Sequence, residues 1–167
     1  TPLVMKQIRW GILGCGKIAN KFASDLKLVE GAVCFAAASL QSGRAKAFAA
    51  EHGFLHAFDS YEALCKSDVD VIYVATPHGL HHAHARLCLE HGKAVLCEKA
   101  FTLNEKDTRD LVDLSRSRKV FLMEAFWTRF IPQFLKLQEL LANGSIGEIK
   151  TITADFGFKS PEPKPQR

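Results

Sequence analysis

The stretch GILGCGKIA, from Gly11 to Ala19, limits what this chain can fold into more than any other segment. It follows an apolar run from Gln7 to Leu13 that reads as a strand, and it opens a helical pattern. A strand that enters a helix through Gly14, Gly16 and the small Ala19 leaves the first helical amides unpaired at the positive end of the dipole. Such a turn is a seat for a diphosphate. The first glycine permits the tight turn, the second lets backbone approach the phosphates, and the small third residue lets helix and strand pack closely. Gly14, Cys15, Gly16, Lys17 and Ile18 are therefore the expected contacts of a dinucleotide.

The rest of the chain fits that opening. Apolar runs at Ala32 to Leu40, Leu55 to Phe58, Val69 to Ala75, Ala94 to Cys97 and Val120 to Met123 read as strands. Helical patterns separate them at Lys17 to Val29 (Ile18, Phe22 and Leu26 inward), Arg44 to Glu51, Ser60 to Leu64 and Leu80 to His91. A fifth follows the Asn104 cap, with Leu111, Val112 and Leu114 inward, and a sixth runs from about Phe130 to Ala142. Alternation of this kind predicts an α/β fold with a doubly wound parallel sheet. Val69 to Ala75 is rich in β-branched residues, as expected of a central strand buried on both faces. Glu148 to Phe158 breaks the rhythm and reads as a longer strand of a different, antiparallel sheet, the beginning of a second domain. The expected organisation is a dinucleotide-binding domain over 1–126, then a linker helix and the start of a second domain over 127–167. Pro161 to Arg167 reads as an exposed loop or tail.

Composition excludes several classes. The 167 residues suffice for one good core but not for two complete domains. No run approaches the ~20 apolar residues of a membrane helix, and the N-terminus has no signal-peptide layout, so no membrane partner is expected. The net charge of +4 is mild and no basic block is interleaved with aromatics, which argues against nucleic acid. Cys15, Cys34, Cys65, Cys88 and Cys97 are odd in number and form no CxxC pair. Reduced thiols in a cytoplasmic protein are the natural reading.

Strand ends carry the remaining chemistry, because ligands in an open α/β sheet sit beyond the carboxyl ends of the strands. An Asp or Glu about 20 residues past the glycines binds the ribose 2′-hydroxyl of NAD, but Ala38 to Arg44 holds no carboxylate. Ser39, Ser42 and Arg44 suit a 2′-phosphate, so NADP is favoured, with NAD possible and a plain solvated loop the alternative. After the third long strand, Thr76 and Pro77 would lie along the cofactor, with His78 and His81 near its nicotinamide half. His78 and His82 also have the spacing of helical zinc ligands. No carboxylate or cysteine stands at ligand spacing beside them, so no metal is expected, and His82 and His84 are assigned to the helix surface. Glu98 and Lys99 leave a buried strand at the same edge. The lysine could hydrogen-bond a substrate oxygen and stabilise negative charge there, or the two could be a solvated pair. Trp127 and Arg129 could wall the ring and hold an anion, with Phe126 and Phe130 plugging sheet against helix.

In this order, GILGCGKIA, ATPHGLHH and AVLCEKA resemble the glucose–fructose oxidoreductase / inositol dehydrogenase (Gfo/Idh/MocA) family. The resemblance covers essentially the whole chain. LCEK followed by FLMEAFWTRF is most similar to the branch of dimeric dihydrodiol dehydrogenases and NADP-dependent D-xylose dehydrogenases. The family's E-K-P ends here in Ala100, and Leu40 departs from the Ser-Arg pair of NADP-using relatives. The resemblance implies a Rossmann domain followed by an α+β domain whose open antiparallel sheet binds substrate and forms a homodimer. It implies Lys99 as the catalytic lysine, Glu98 and His81 lining the nicotinamide pocket, and Trp127 and Arg129 touching the cofactor. A second acid/base residue, Tyr or His, would fall beyond Arg167, so these 167 residues alone are expected to be inactive. The activity implied is hydride transfer between NADP and a CH–OH group of a sugar or trans-dihydrodiol. A non-catalytic dinucleotide sensor or partner subunit is the alternative.

Overall fold

The computed structural model describes residues 7–157, which fall into two compact units divided between Ala125 and Phe126. In the first, six parallel strands form one sheet: β1 (Ile8–Leu13), β2 (Ala32–Ala38), β3 (His56–Phe58), β4 (Val71–Val74), β5 (Ala94–Cys97) and β6 (Leu122–Glu124). Their order is β3-β2-β1-β4-β5-β6, so the chain reverses direction of travel across the sheet between β1 and β4. That reversal opens a crevice at the strands' carboxyl ends. The doubly wound parallel sheet expected from the alternation is the fold observed.

Helices α1 (Lys17–Leu26), α2 (Arg44–His52), α3 (Tyr61–Lys66), α4 (His81–Glu90) and α5 (Glu105–Arg118) connect the strands. Two buried clusters lie against the sheet, one holding Ile12, Ala19, Ala23 and Tyr73, the other Leu13, Leu64, Val74 and Leu111. The side chains of Ser60 and Asn104 accept the amides of Ala63 and Asp107, so both expected N-caps form. On α1 the buried positions are Ala19, Ala23 and Leu26, with Phe22 partly covered and Ile18 exposed. Small residues face the sheet because the helix packs close to it. The five cysteines are free thiols; four are buried and Cys34 is half-buried.

His82 and His84 are not surface groups as expected; both are half-buried. His82 Nε2 lies 2.7 Å from Asp110 Oδ2, and Arg86 donates to both Asp110 oxygens at 2.6 and 2.7 Å, joining α4 to α5. Arg86 first, and then His82, holds the Asp110 carboxyl below its usual range. A depressed carboxyl stabilises the fold above its ordinary value near pH ~4, and the contribution fades as pH falls through the lowered one. Asp110→Asn is expected to cost under about 1 kcal/mol near neutrality, since the pair is part-exposed. The difference from the parent should shrink in urea unfolding as pH is taken down through and below the ordinary carboxylate range.

The second unit holds a short 3-10 turn, Trp127–Phe130, and helix α6 (Pro132–Ala142), which Pro132 starts two residues later than expected. Phe126 and Phe130 are exposed. The strand expected over 148–158 does not form in its described part: residues 148–157 make no ladder. Alternation marks a segment as able to pair, but a strand needs a neighbour, and none is present among the described residues. Pro161 to Arg167 lie outside those residues.

Candidate functional site

At the end of β1, Gly14 adopts a left-handed backbone (φ 97°) and donates its amide to Ala38 O at 3.0 Å. A Cβ there would stand 2.7 Å from Thr76 Cγ2 and 3.2 Å from the Ala75 carbonyl, so the protein's own packing demands this glycine. Gly16 differs. Its φ is −94°, and a Cβ would meet nothing nearer than Ala75 O at 3.8 Å. Nothing among the described residues forbids a side chain at Gly16, so the protein's own packing does not account for this glycine.

Helix α1 starts at that point with no side-chain cap and no acid in its first turn. The amides of Lys17 and Ile18 have no partner one turn back, and both residues are exposed. An uncapped helix start beside an uncluttered glycine fits a dinucleotide's diphosphate. Cys15 donates its thiol to Ala38 O and burial pushes it up to about 11, against the pull of Arg44, so it stays a neutral thiol. Sequence reading missed Asn20. Its Nδ2 donates to Gly16 O at 3.0 Å and its Oδ1 lies 2.7 Å from His52 Nε2, pinning the loop to α2. No pattern signals an amide one turn into this helix.

Beyond β2, Ser39 is buried, and its Oγ accepts the Gln41 amide at 3.3 Å. It thereby shapes the turn that carries Gln41. Ser42, Arg44 and Leu40 are exposed, and Arg44 Nη1 donates to Gln41 Oε1 at 3.0 Å. The cation is thus braced within the loop.

Beyond β4, Thr76 is buried with its methyl group facing Gly14 and its hydroxyl 2.9 Å from His84 Nδ1. Tyr61 stands edge-on to His84, and burial, helped by His81, holds that imidazole below its usual value. Pro77 and His78 are exposed along the crevice. His81 is wholly buried, so it does not line a pocket as expected. Its ring nitrogens face the backbone carbonyls of Thr76 and Ala100, each at 2.8 Å. It ties the loop after β4 to the loop after β5, which places it behind the site. Thr76 and Ala100 lie in two loops outside α4, so helical spacing could not reveal the role.

Beyond β5, Glu98 is half-buried and Lys99 exposed. Glu98 is no solvated partner: its Oε1 accepts the Tyr73 phenol at 2.5 Å and its Oε2 the Lys99 amide at 3.1 Å. The Lys99–Ala100 peptide is cis. Glu124, at the end of β6, accepts the Phe101 amide at 3.0 Å and so fixes the far side of the same loop. Burial, reinforced by Glu98 and Glu124, pushes the Cys97 thiol up to about 12. Gly14, Thr76 and Lys99 thus stand at the ends of three adjacent strands, β1, β4 and β5. Trp127 and Arg129 belong to the second unit, where both are exposed on its 3-10 turn. Among the described residues, no group of three or more His, Cys, Asp and Glu is placed to hold a metal ion. None of the described helices is long and apolar enough to cross a membrane.

Residues 8–126 match the family described as "Oxidoreductase family, NAD-binding Rossmann fold". Trans-1,2-dihydrobenzene-1,2-diol dehydrogenase from Bos taurus is 42% identical over 153 residues, spanning 90% of this chain and 46% of that protein. The human enzyme of the same name gives the same identity and shares. This chain therefore spans about half the length of the curated relatives it matches. Among solved structures, KijD10, a 3-ketoreductase from Actinomadura kijaniata in complex with TDP-benzene and NADP, superposes with a TM-score of 0.78. It is 34% identical, with 86% of this chain and 46% of that one covered. An NAD binding oxidoreductase from Klebsiella pneumoniae gives a TM-score of 0.80 at 26% identity, covering 85% and 40%. With residues 8–126 matched to that family on a sheet of order 3-2-1-4-5-6, this chain belongs to the Gfo/Idh/MocA family of NAD(P)-binding Rossmann-fold oxidoreductases.

Proposed function

We propose that the whole protein is an NADP-dependent dehydrogenase acting on a CH–OH group of a sugar or trans-dihydrodiol. The observation that carries this reading is the shared edge: Lys99 leaves β5 two strands from the glycine turn, on the side where ligands bind. The diphosphate would rest on the amides from Cys15 to Ile18. Thr76, Pro77 and His78 would follow its course toward Glu98 and Lys99. The nicotinamide, when bound, supplies the hydride chemistry. The exposed Lys99 ammonium donates to the reacting oxygen and stabilises the charge that develops on it. The similar trans-dihydrodiol dehydrogenases and the NADP-bound 3-ketoreductase support both the donor class and the cofactor.

Arg44 and Ser42, exposed beyond β2 without a neighbouring carboxylate, support NADP over NAD. Titration should show NADPH binding at least about tenfold tighter than NADH, with Arg44→Ala removing most of the difference. Equal affinity for the two would remove the NADP preference. A panel of sugars and trans-dihydrodiols then tests the donor class by following reduced cofactor. The resemblance extends the proposal to a homodimer formed through a second-domain sheet and, with five unpaired cysteines, to the cytoplasm. Sedimentation of the whole protein checks the dimer.

A further inference from the structure

Tyr73 stands in the middle of the sheet, wholly buried on β4 and stacked on Phe22 of α1 with ring centroids 3.9 Å apart. Its surroundings are Ile12, Ala19, Ala23 and Leu26, a slot that a phenyl ring would fill as well. A hydroxyl there loses its water and must find a partner inside the protein. It finds one in a charged group at the ligand edge, donating to Glu98 Oε1 at 2.5 Å. Burial first, and then the nearby carboxylate, holds the phenol far above its usual range, so it remains a proton donor.

Glu98 is gripped on every side. Its amide donates to Val74 O at 2.9 Å, next to Tyr73 in the chain, and its second oxygen accepts the Lys99 amide at 3.1 Å. Without the phenol, a glutamate at a strand end would sample several rotamers. With it, one oxygen is anchored in the core while the carboxylate stays half-buried at the crevice. The same carboxylate steadies the backbone of Lys99.

We propose that Tyr73 is a positioning residue that fixes Glu98, and through it the Lys99 backbone, so that Glu98 accepts from the carboxamide of a bound nicotinamide. This rests on the dinucleotide reading given above. The phenol works from behind the sheet and touches no ligand itself.

The test compares a whole dinucleotide with the same molecule lacking its nicotinamide, measured as dissociation constants by calorimetry on the whole protein. The pairs are NADPH with 2′-phospho-ADP-ribose and NADH with ADP-ribose. Tyr73→Phe keeps the ring and removes only the hydroxyl. It should weaken the dinucleotide by about three- to tenfold and leave the fragment unchanged. Glu98→Gln should lose at least as much on the dinucleotide alone, and adding Tyr73→Phe to it should cost nothing further. Should Tyr73→Phe not fold, the Glu98→Gln discrimination decides. Equal losses on both ligands, no loss on either, or additive losses in the double variant would overturn the proposal. If the parent binds neither member of a pair, the dinucleotide reading itself falls, which the other outcomes leave standing.

Discussion

Replacing Lys99 by alanine is expected to lower turnover of the whole protein about 1,000-fold while leaving dinucleotide affinity within about threefold. The side chain is exposed, beyond the end of a buried strand, and its loop is held by other groups. Glu98 fixes the Lys99 amide, His81 the Ala100 carbonyl, and Glu124 the Phe101 amide. Removing the ammonium therefore leaves the loop in place. Under the proposed function, what disappears is a cation beside an oxygen on which charge develops in the transition state. Steady-state kinetics with a separate binding titration measures both quantities. A non-catalytic sensor would keep its output after this change, and retention of turnover within tenfold would place Lys99 outside the chemistry.

The second large effect separates two glycines that look equivalent in the sequence. Gly14→Ala is expected to destabilise the fold by about 2–4 kcal/mol, because a side chain there is strained at φ 97° and meets Thr76 at 2.7 Å. Gly16→Ala should change stability by no more than about 0.5 kcal/mol. Its φ of −94° is ordinary for alanine and its nearest protein atom is 3.8 Å away. Yet the added methyl would stand where the phosphates must approach the amides, so dinucleotide affinity should fall at least about 100-fold. Denaturant unfolding and a binding titration on both variants make the comparison. A stable Gly14→Ala variant, or a Gly16→Ala variant that binds normally, would show the loop to be used in another way.

Much of this fold was legible because its signals are local. Strand runs, helical periodicity and the caps at Ser60 and Asn104 are written within a few residues. Alternation of the two element types then restricts the topology to few solutions. Other features depend on partners distant in sequence. Ile18 reads as inward by periodicity, yet it is 43% exposed, because the face that α1 turns to the sheet is the one carrying Ala19, Ala23 and Leu26. His81 reads as a ligand and is a wholly buried strut, because two carbonyls from separate loops converge on it. Ser39 reads as a phosphate contact, and the structure adds that its Oγ also accepts the Gln41 amide within its own turn. Tyr73 gave no signal, since a buried tyrosine in a β-branched run looks like any core aromatic until its hydroxyl is followed to Glu98. The segment 148–157 shows the converse. Its alternation is strong, but pairing is a property of two strands.

Crystallography of the whole protein with its preferred dinucleotide examines the main claim most directly. The expected electron density has the diphosphate against the amides from Cys15 to Ile18 and the nicotinamide ring before Lys99 Nζ. A dinucleotide seated anywhere else, or a Lys99 side chain turned from the ring, would contradict it.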